Sequence, residues 1–232
     1  MPDRITTVGF DADDTLWHNE RYFQLTQRRL ADLLAEYTDS ETLSARLLAA
    51  ERRNLGQYGF GIKGFTLSMI ETAIEVTDRR VSVDVIAELM EAGREMLRHP
   101  IDLLPHARGA VEAARRTHRV LLITKGDLLD QERKLAQSGL GELFDGVEIV
   151  SDKSARVYAD IFARRGDGVE RGIMVGNSLR SDVLPMIEAG GWGAFVPHEL
   201  TWQIEKADAP DHPRYARLGD LAELGGVLER IG

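Results

Sequence analysis

Short runs of apolar, largely β-branched residues alternate along this chain with longer stretches in which apolar positions recur at helical spacing. Four runs stand out, at residues 5–10 (ITTVGF), 120–124 (VLLIT), 147–150 (VEIV) and 173–176 (IMVG), with a weaker fifth at 194–197 (AFVP). Continuous apolar character in so short a run is the pattern of a strand buried on both faces of a parallel sheet. Between the runs, residues 107–117, 128–138, 155–164 and 181–189 carry helical periodicity, which predicts a βαβ series. A final amphipathic helix is predicted over 218–228, after a tail at 207–215 rich in Pro and charge.

One gap in the alternation is too long for a crossover helix. About a hundred residues separate the first run from the second, and none of them reads as a strand. Residues 19–37, 40–55, 65–77 and 83–98 instead show apolar positions at helical spacing, such as Leu30, Leu33, Leu34 and Tyr37. The chain therefore reads as an α/β fold, a Rossmann-like doubly wound parallel sheet core, with an inserted all-helical domain. The boundaries expected are 1–17 and 100–232 for the core and 18–99 for the insertion, the return falling where Pro100 disfavours helix in the residue before it.

Composition narrows the chemistry. With 232 residues, 43% hydrophobic and 29% charged, the chain can bury one good core, and disorder is not expected. The absence of Cys removes disulfides, thiolate metal sites and cysteine nucleophiles, so the default expectation is a reducing, cytoplasmic setting. A net charge of -9 argues against a surface built to neutralise nucleic-acid phosphates, and no apolar stretch is long enough to span a bilayer. Six His are scattered without metal-ligand spacing.

The candidate chemistry begins where the first run ends, at Phe10-Asp11-Ala12-Asp13-Asp14-Thr15-Leu16. In a doubly wound sheet, ligands bind beyond the carboxyl ends of the strands, so three carboxylates in four positions stand where chemistry is expected. Their mutual repulsion is relieved by a divalent cation, and all-oxygen ligands suit Mg²⁺, which favours phosphate as a co-ligand. A carboxylate is also a competent phosphoryl acceptor. The alternative for a single Asp, Asp11 or Asp14, is a helix cap or a turn support.

These residues resemble the first motif, DxDxT after an apolar strand, of the haloacid dehalogenase superfamily of phosphohydrolases. The resemblance continues in order: Thr124 in Leu121-Leu122-Ile123-Thr124-Lys125-Gly126 as a second motif, Lys153 as a third, and Val175-Gly176-Asn177-Ser178-Leu179-Arg180-Ser181-Asp182 as a fourth. It covers roughly residues 1–17 and 100–200 and implies roles. Asp11 would be the nucleophile and Asp13 the general acid and base. Thr124 and Lys153 would bind the phosphoryl oxygens, with Lys125 as an added phosphate contact. Asp11, Asp13 through its backbone carbonyl, Asn177 and Asp182 would hold the metal. The sequence departs from the commonest pattern at Asn177, where Asp is usual, at Asp14, where Gly is frequent, and at Lys125, where Asn is frequent.

The position of the insertion resembles the family's helical C1 cap, which implies that it closes the site and contacts substrate. Within it, GQYGFGIKG at 56–64 formally satisfies GxGxxG, but a helix rather than a strand precedes it, so it is no dinucleotide fingerprint. It reads instead as a flexible loop. Tyr58 and Lys63 there, and His18 near the hinge, are candidate substrate contacts. The resemblance thus implies a Mg²⁺-dependent phosphatase of a small phosphorylated metabolite. Asp13 weighs against a dehalogenase, which attacks carbon without that acid. A phosphomutase shares the same motifs, and a non-catalytic binding protein on this fold is the alternative of another class.

Overall fold

The computed structural model describes residues 4–232, so the first three residues of the N-terminal core segment lie outside the described residues. The chain divides into two compact units. One comprises the chain up to Glu20 with Ile101–Lys125 and Gln131–Gly232; the other comprises Arg21–Pro100 and Gly126–Asp130.

Among the described residues, the first unit is built on six strands: β1 (Thr7–Phe10), β2 (Arg119–Lys125), β3 (Gly146–Val150), β4 (Gly172–Gly176), β5 (Trp192–Phe195) and β6 (Tyr215–Arg217). Their order is β3-β2-β1-β4-β5-β6, and every pairing is parallel. The order reverses direction between β1 and β4, so the carboxyl ends of these two strands form the switch point where such sheets bind ligands.

Side chains alternate across the strands, and both faces are apolar, as the continuous runs demand. Val120 and Leu122 of β2, with Phe10, Ile173 and Val175, pack against α5 (Ala107–Arg115) and α9 (Leu224–Ile231) through Ala107, Val111, Leu224 and Val227. Leu121, Ile123 and Met174 face the other way, onto Tyr158, Ile161 and Phe162 of α7 (Ala155–Arg165). The unit also holds α8 (Leu184–Glu188) and most of α6 (Leu128–Ser138), from Gln131 on.

The second unit holds most of α1 (Glu20–Leu33) together with α2 (Ser40–Tyr58), α3 (Ile62–Val76) and α4 (Val83–Arg98). Its own core is formed by Leu30, Leu34, Leu43, Leu47, Phe65, Met69, Leu89 and Met96. Two helix starts are capped as the side chains allow: Asp39 accepts from Thr42 N at 2.9 Å and Ser82 from Val85 N at 3.2 Å. Among the described residues, no helix is long and apolar enough to cross a membrane.

The structure differs from the sequence reading in several segments; the fifth strand lies at Trp192–Phe195 rather than 194–197, and the first inserted helix ends at Leu33 rather than 37. The loop expected over 56–64 shrinks to a turn at Gly59–Gly61, because α2 continues to Tyr58 and α3 begins at Ile62; Gly59 and Gly61 supply φ of +71 and +120. The helix expected over 181–189 starts with a wide π-type turn at Leu179–Val183. The final helix begins later than expected, since Asp220 accepts from Ala222 N at 2.7 Å and starts a short 3₁₀ turn, and the residues before it form β6.

Candidate active site

β1 ends at Phe10 and delivers Asp11 to the switch point, where its N–H donates to Val175 O at 2.9 Å and extends the β1–β4 pairing by one rung. Asp11 is 6% exposed. Thr15, one turn on, donates from Oγ1 to Asp11 Oδ2 at 2.9 Å and accepts from Asn177 N at 3.0 Å, which ties the loop after β1 to the loop after β4. Asn177 Oδ1 lies 3.3 Å from the same hydroxyl.

Lys153, three residues beyond β3, donates from Nζ to Asp11 Oδ1 at 2.5 Å and to Asp182 Oδ1 at 2.6 Å. All three groups are buried. Asp182 in turn accepts from Ser178 N at 3.0 Å. The carboxylate needs the space left by Gly176, since a Cβ there would collide with it. One ammonium thus faces two carboxylates. Burial alone would lower the Lys153 pKa, but Asp11 and Asp182 outweigh it and hold it above the usual lysine range. At Asp11 the balance between burial and charge is reversed: burial, with Asp182 adding repulsion, overcomes Lys153 and lifts its pKa to about 7.

Asp13 sits in a separate network of donors. Its Oδ1 accepts from Trp17 Nε1 at 2.7 Å, Lys134 Nζ reaches both oxygens at 3.0 Å, and Gln131 Nε2 lies 3.3 Å from Oδ2. Gln131 also donates to Thr124 Oγ1 at 2.6 Å, so Asp13 and Thr124 share a neighbour. Sequence reasoning missed Gln131 and Lys134; their spacing of three places them on one helix face, but polar residues on such a face read as solvated.

Lys125, expected at the phosphate, donates to Ser181 Oγ at 2.7 Å and to Glu205 Oε1 at 2.5 Å. Glu205 also accepts from the Ser178 and Ser181 hydroxyls, each at 2.5 Å. Burial would raise the Glu205 pKa, but Lys125 and the two hydroxyls hold it below the usual carboxylate range. Glu205 is a third residue that the sequence did not single out.

The remaining candidates are placed as follows. Asp14 does the work of a cap: its carboxylate accepts from Asn19 N at 2.8 Å and Glu20 N at 2.9 Å, where α1 starts. Its φ of +58 is the conformation that Gly adopts freely and Asp tolerates. Burial raises its pKa to about 6, against those N–H groups and His198. His18 groups with the sheet unit, its ring edge-on to His198 with centroids 6.0 Å apart. Tyr58 and Lys63 belong to the helical unit, where Tyr58 is 50% exposed and Lys63 pairs with Asp127 at 2.9 Å.

Among the described residues, no three His, Cys, Asp or Glu side chains group as a metal cluster. The donors that do meet at the switch point are oxygens: the Asp11 carboxylate and, through Thr15, the Asn177 amide, with Asp182 beside them. One or two carboxylates with neutral oxygens is a donor set that suits Mg²⁺ completed by water and phosphate, and it is a poor set for softer metals.

The raised Asp11 pKa has a consequence for stability. In the folded protein Asp11 binds its proton up to about pH 7, whereas unfolded it releases it near 3.8. Its contribution is therefore full below about pH 4 and is lost as pH rises through about 7. With divalent metal removed, the stability of Asp11→Asn relative to the unmodified protein is expected to grow from pH 4.5 to 7.5. Thermal melts of both proteins across that range in chelator check this; a constant or shrinking difference would contradict it.

A family model described as haloacid dehalogenase-like hydrolase matches residues 5–190. A haloacid dehalogenase-like family hydrolase from Xanthomonas campestris is 42% identical, with a TM-score of 0.88 over 98% of this chain and 91% of that one. A HAD-hydrolase from Bacillus subtilis, bound to magnesium, shares the fold at 17% identity and a TM-score of 0.68, over 97% of this chain and 99% of that one. The glyceraldehyde 3-phosphate phosphatase of Methanothermobacter thermautotrophicus is 32% identical over 90 residues, which are 36% of this chain and 39% of that protein. The chain thus spans about two fifths of the length of the curated relative it matches.

Proposed function

The chain belongs to the haloacid dehalogenase-like hydrolase family, and from that premise we propose that it is a Mg²⁺-dependent phosphatase of small phosphorylated metabolites. The observation that carries this reading is the second carboxylate. Asp13 stands two residues beyond Asp11 with its own donors, Lys134, Trp17 and Gln131, while Asp11 is held by Lys153 and Thr15. Two neighbouring carboxylates in different environments can take different roles, one as nucleophile and one as acid and base. A halide leaving group departs without a proton, so an attack on carbon gives the acid role of the second no task.

In the first step an Asp11 oxygen attacks phosphorus, the ester P–O bond breaks, and the leaving oxygen takes a proton from Asp13. In the second, Asp13 removes a proton from water as it attacks the aspartyl-phosphate, and inorganic phosphate departs with Asp11 restored. Lys153 balances the charge on the phosphoryl oxygens, and the Thr124 hydroxyl hydrogen-bonds one of them. Lys125 we assign to fastening the Glu205 loop, since its ammonium is committed there. Asp11, Asn177, Asp182 and the backbone carbonyl of Asp13 would hold Mg²⁺, which supplies further charge neutralisation at the phosphoryl group.

The test is phosphate release from a panel of phosphorylated metabolites, glyceraldehyde 3-phosphate included, and an aryl phosphate, with Mg²⁺ or with chelator. Release that falls at least about 100-fold on metal removal is expected, the scale of a lost electrostatic contribution to the transition state. Release that is indifferent to chelation would overturn the metal assignment. Trapped aspartyl-phosphate without phosphate release would replace hydrolysis by transfer to a second acceptor.

A further inference from the structure

Gln131 and Lys134 lie three residues apart on α6, so they share a face. Both are almost fully buried, at 3% and 6% exposure. A lysine in such a place must recover the cost of desolvating its charge from specific partners. Lys134 Nζ finds them in both oxygens of Asp13, at 3.0 Å, and in Asn19 Oδ1, at 2.8 Å. Gripping both oxygens constrains the plane of the carboxylate as well as its position. Trp17 Nε1 meets Oδ1 from the other end of the DADDT turn, at 2.7 Å. Gln131 then joins Oδ2 to Thr124, at 3.3 and 2.6 Å.

An acid and base acts only when its oxygen stands within hydrogen-bond reach of the leaving group, and about 1 Å of misplacement can cost on the order of 100-fold. Asp13 lies in a turn whose backbone alone does not set its side-chain rotamer. We propose that Lys134 is a positioning residue for this reaction: with Gln131 it fixes the orientation of the Asp13 carboxylate and registers it against Thr124. A lysine present only to hold α6 on the sheet would have no reason to grip both oxygens of that one side chain. The assignment rests on the phosphatase reading, and it concerns the proton-transfer geometry within it.

The experiment compares Lys134→Gln, Lys134→Arg and Gln131→Met with the unmodified enzyme, all with Mg²⁺. Two substrates are used, an alkyl phosphate, whose alkoxide needs a proton to leave, and an aryl phosphate, whose good phenolate does not. Steady-state kcat and KM are measured on the first, and the pre-steady-state burst of phenolate on the second. Lys134→Gln is expected to lower kcat on the alkyl ester at least about 30-fold with KM within about 3-fold, and to slow the phenolate burst less than about 3-fold. Lys134→Arg, which can again reach both oxygens, should recover most of the loss, and Gln131→Met should show the same split at about 5-fold.

Equal losses on the two substrates, a change confined to KM, or no change would overturn the assignment while leaving the phosphatase reading intact. If Lys134→Gln does not fold, as judged by its thermal melt, the split in Gln131→Met decides the matter alone. If the unmodified enzyme releases phosphate from neither ester, the phosphatase reading fails and this assignment falls with it.

Discussion

Asp11→Asn is expected to abolish phosphate release, lowering kcat by about 10⁴-fold or more, while the protein stays folded. The activity loss follows from replacing the attacking oxygen by an amide that cannot form the acyl phosphate. The retained fold follows from the charge count in the buried cluster. Lys153 faces two carboxylates, Asp11 at 2.5 Å and Asp182 at 2.6 Å, so removing one charge leaves a matched pair. An amide oxygen can still accept from Thr15, as Asp11 Oδ2 does now at 2.9 Å. Phosphate release and a thermal melt at pH 8 check both halves. Turnover close to that of the unmodified enzyme would sink the nucleophile assignment, and an unfolded variant would sink the charge argument.

Lys153→Met is expected to have the opposite balance, with a large loss of stability alongside the loss of activity. Removing the ammonium leaves Asp11 and Asp182 buried against each other without their shared cation, and stripping one partner from a buried ion pair costs about 3–5 kcal/mol. For a domain of this size each kcal/mol moves the midpoint by about 2–4 °C, so Tm should fall by roughly 6–20 °C. Adding Asp11→Asn to Lys153→Met should restore part of that loss, because only one unpaired carboxylate then remains. A drop in Tm of less than about 4 °C would show that the cluster is better solvated than its geometry implies.

The parallel core was legible because strands buried on both faces must be apolar at every position, and VLLIT and IMVG have no other economical use. The three-residue β6 was not: Tyr215-Ala216-Arg217 is too short and too mixed for a pattern, and it forms only because β5 offers an edge. At the site, the sequence marks residues that follow strands, since a strand end fixes where the next side chain goes. It does not mark Gln131, Lys134 or Glu205. The first two lie on an amphipathic helix, where polar residues ordinarily meet solvent. Glu205 ends a short 3₁₀ turn between β5 and β6, and it becomes a partner of Lys125 only when those two strands have fixed the ends of the segment. The difference is between positions determined by local pattern and positions determined by tertiary placement.

The order β3-β2-β1-β4-β5-β6 also dictates the sequence of events as the chain leaves the ribosome. β1, at the centre of the sheet, is the first strand synthesised, and its two partners begin only at Arg119 and Gly172. At about 5–20 residues per second, it waits several seconds or more for the first of them. During that wait the segment Arg21–Pro100, continuous in the chain and carrying its own core, is already complete and can fold. The inserted helices therefore give the nascent protein something to bury while the exposed apolar strand TVGF awaits its neighbours. Mutations that slow the folding of those helices should lengthen that exposure and show first as aggregation during synthesis, before any defect appears in the finished enzyme.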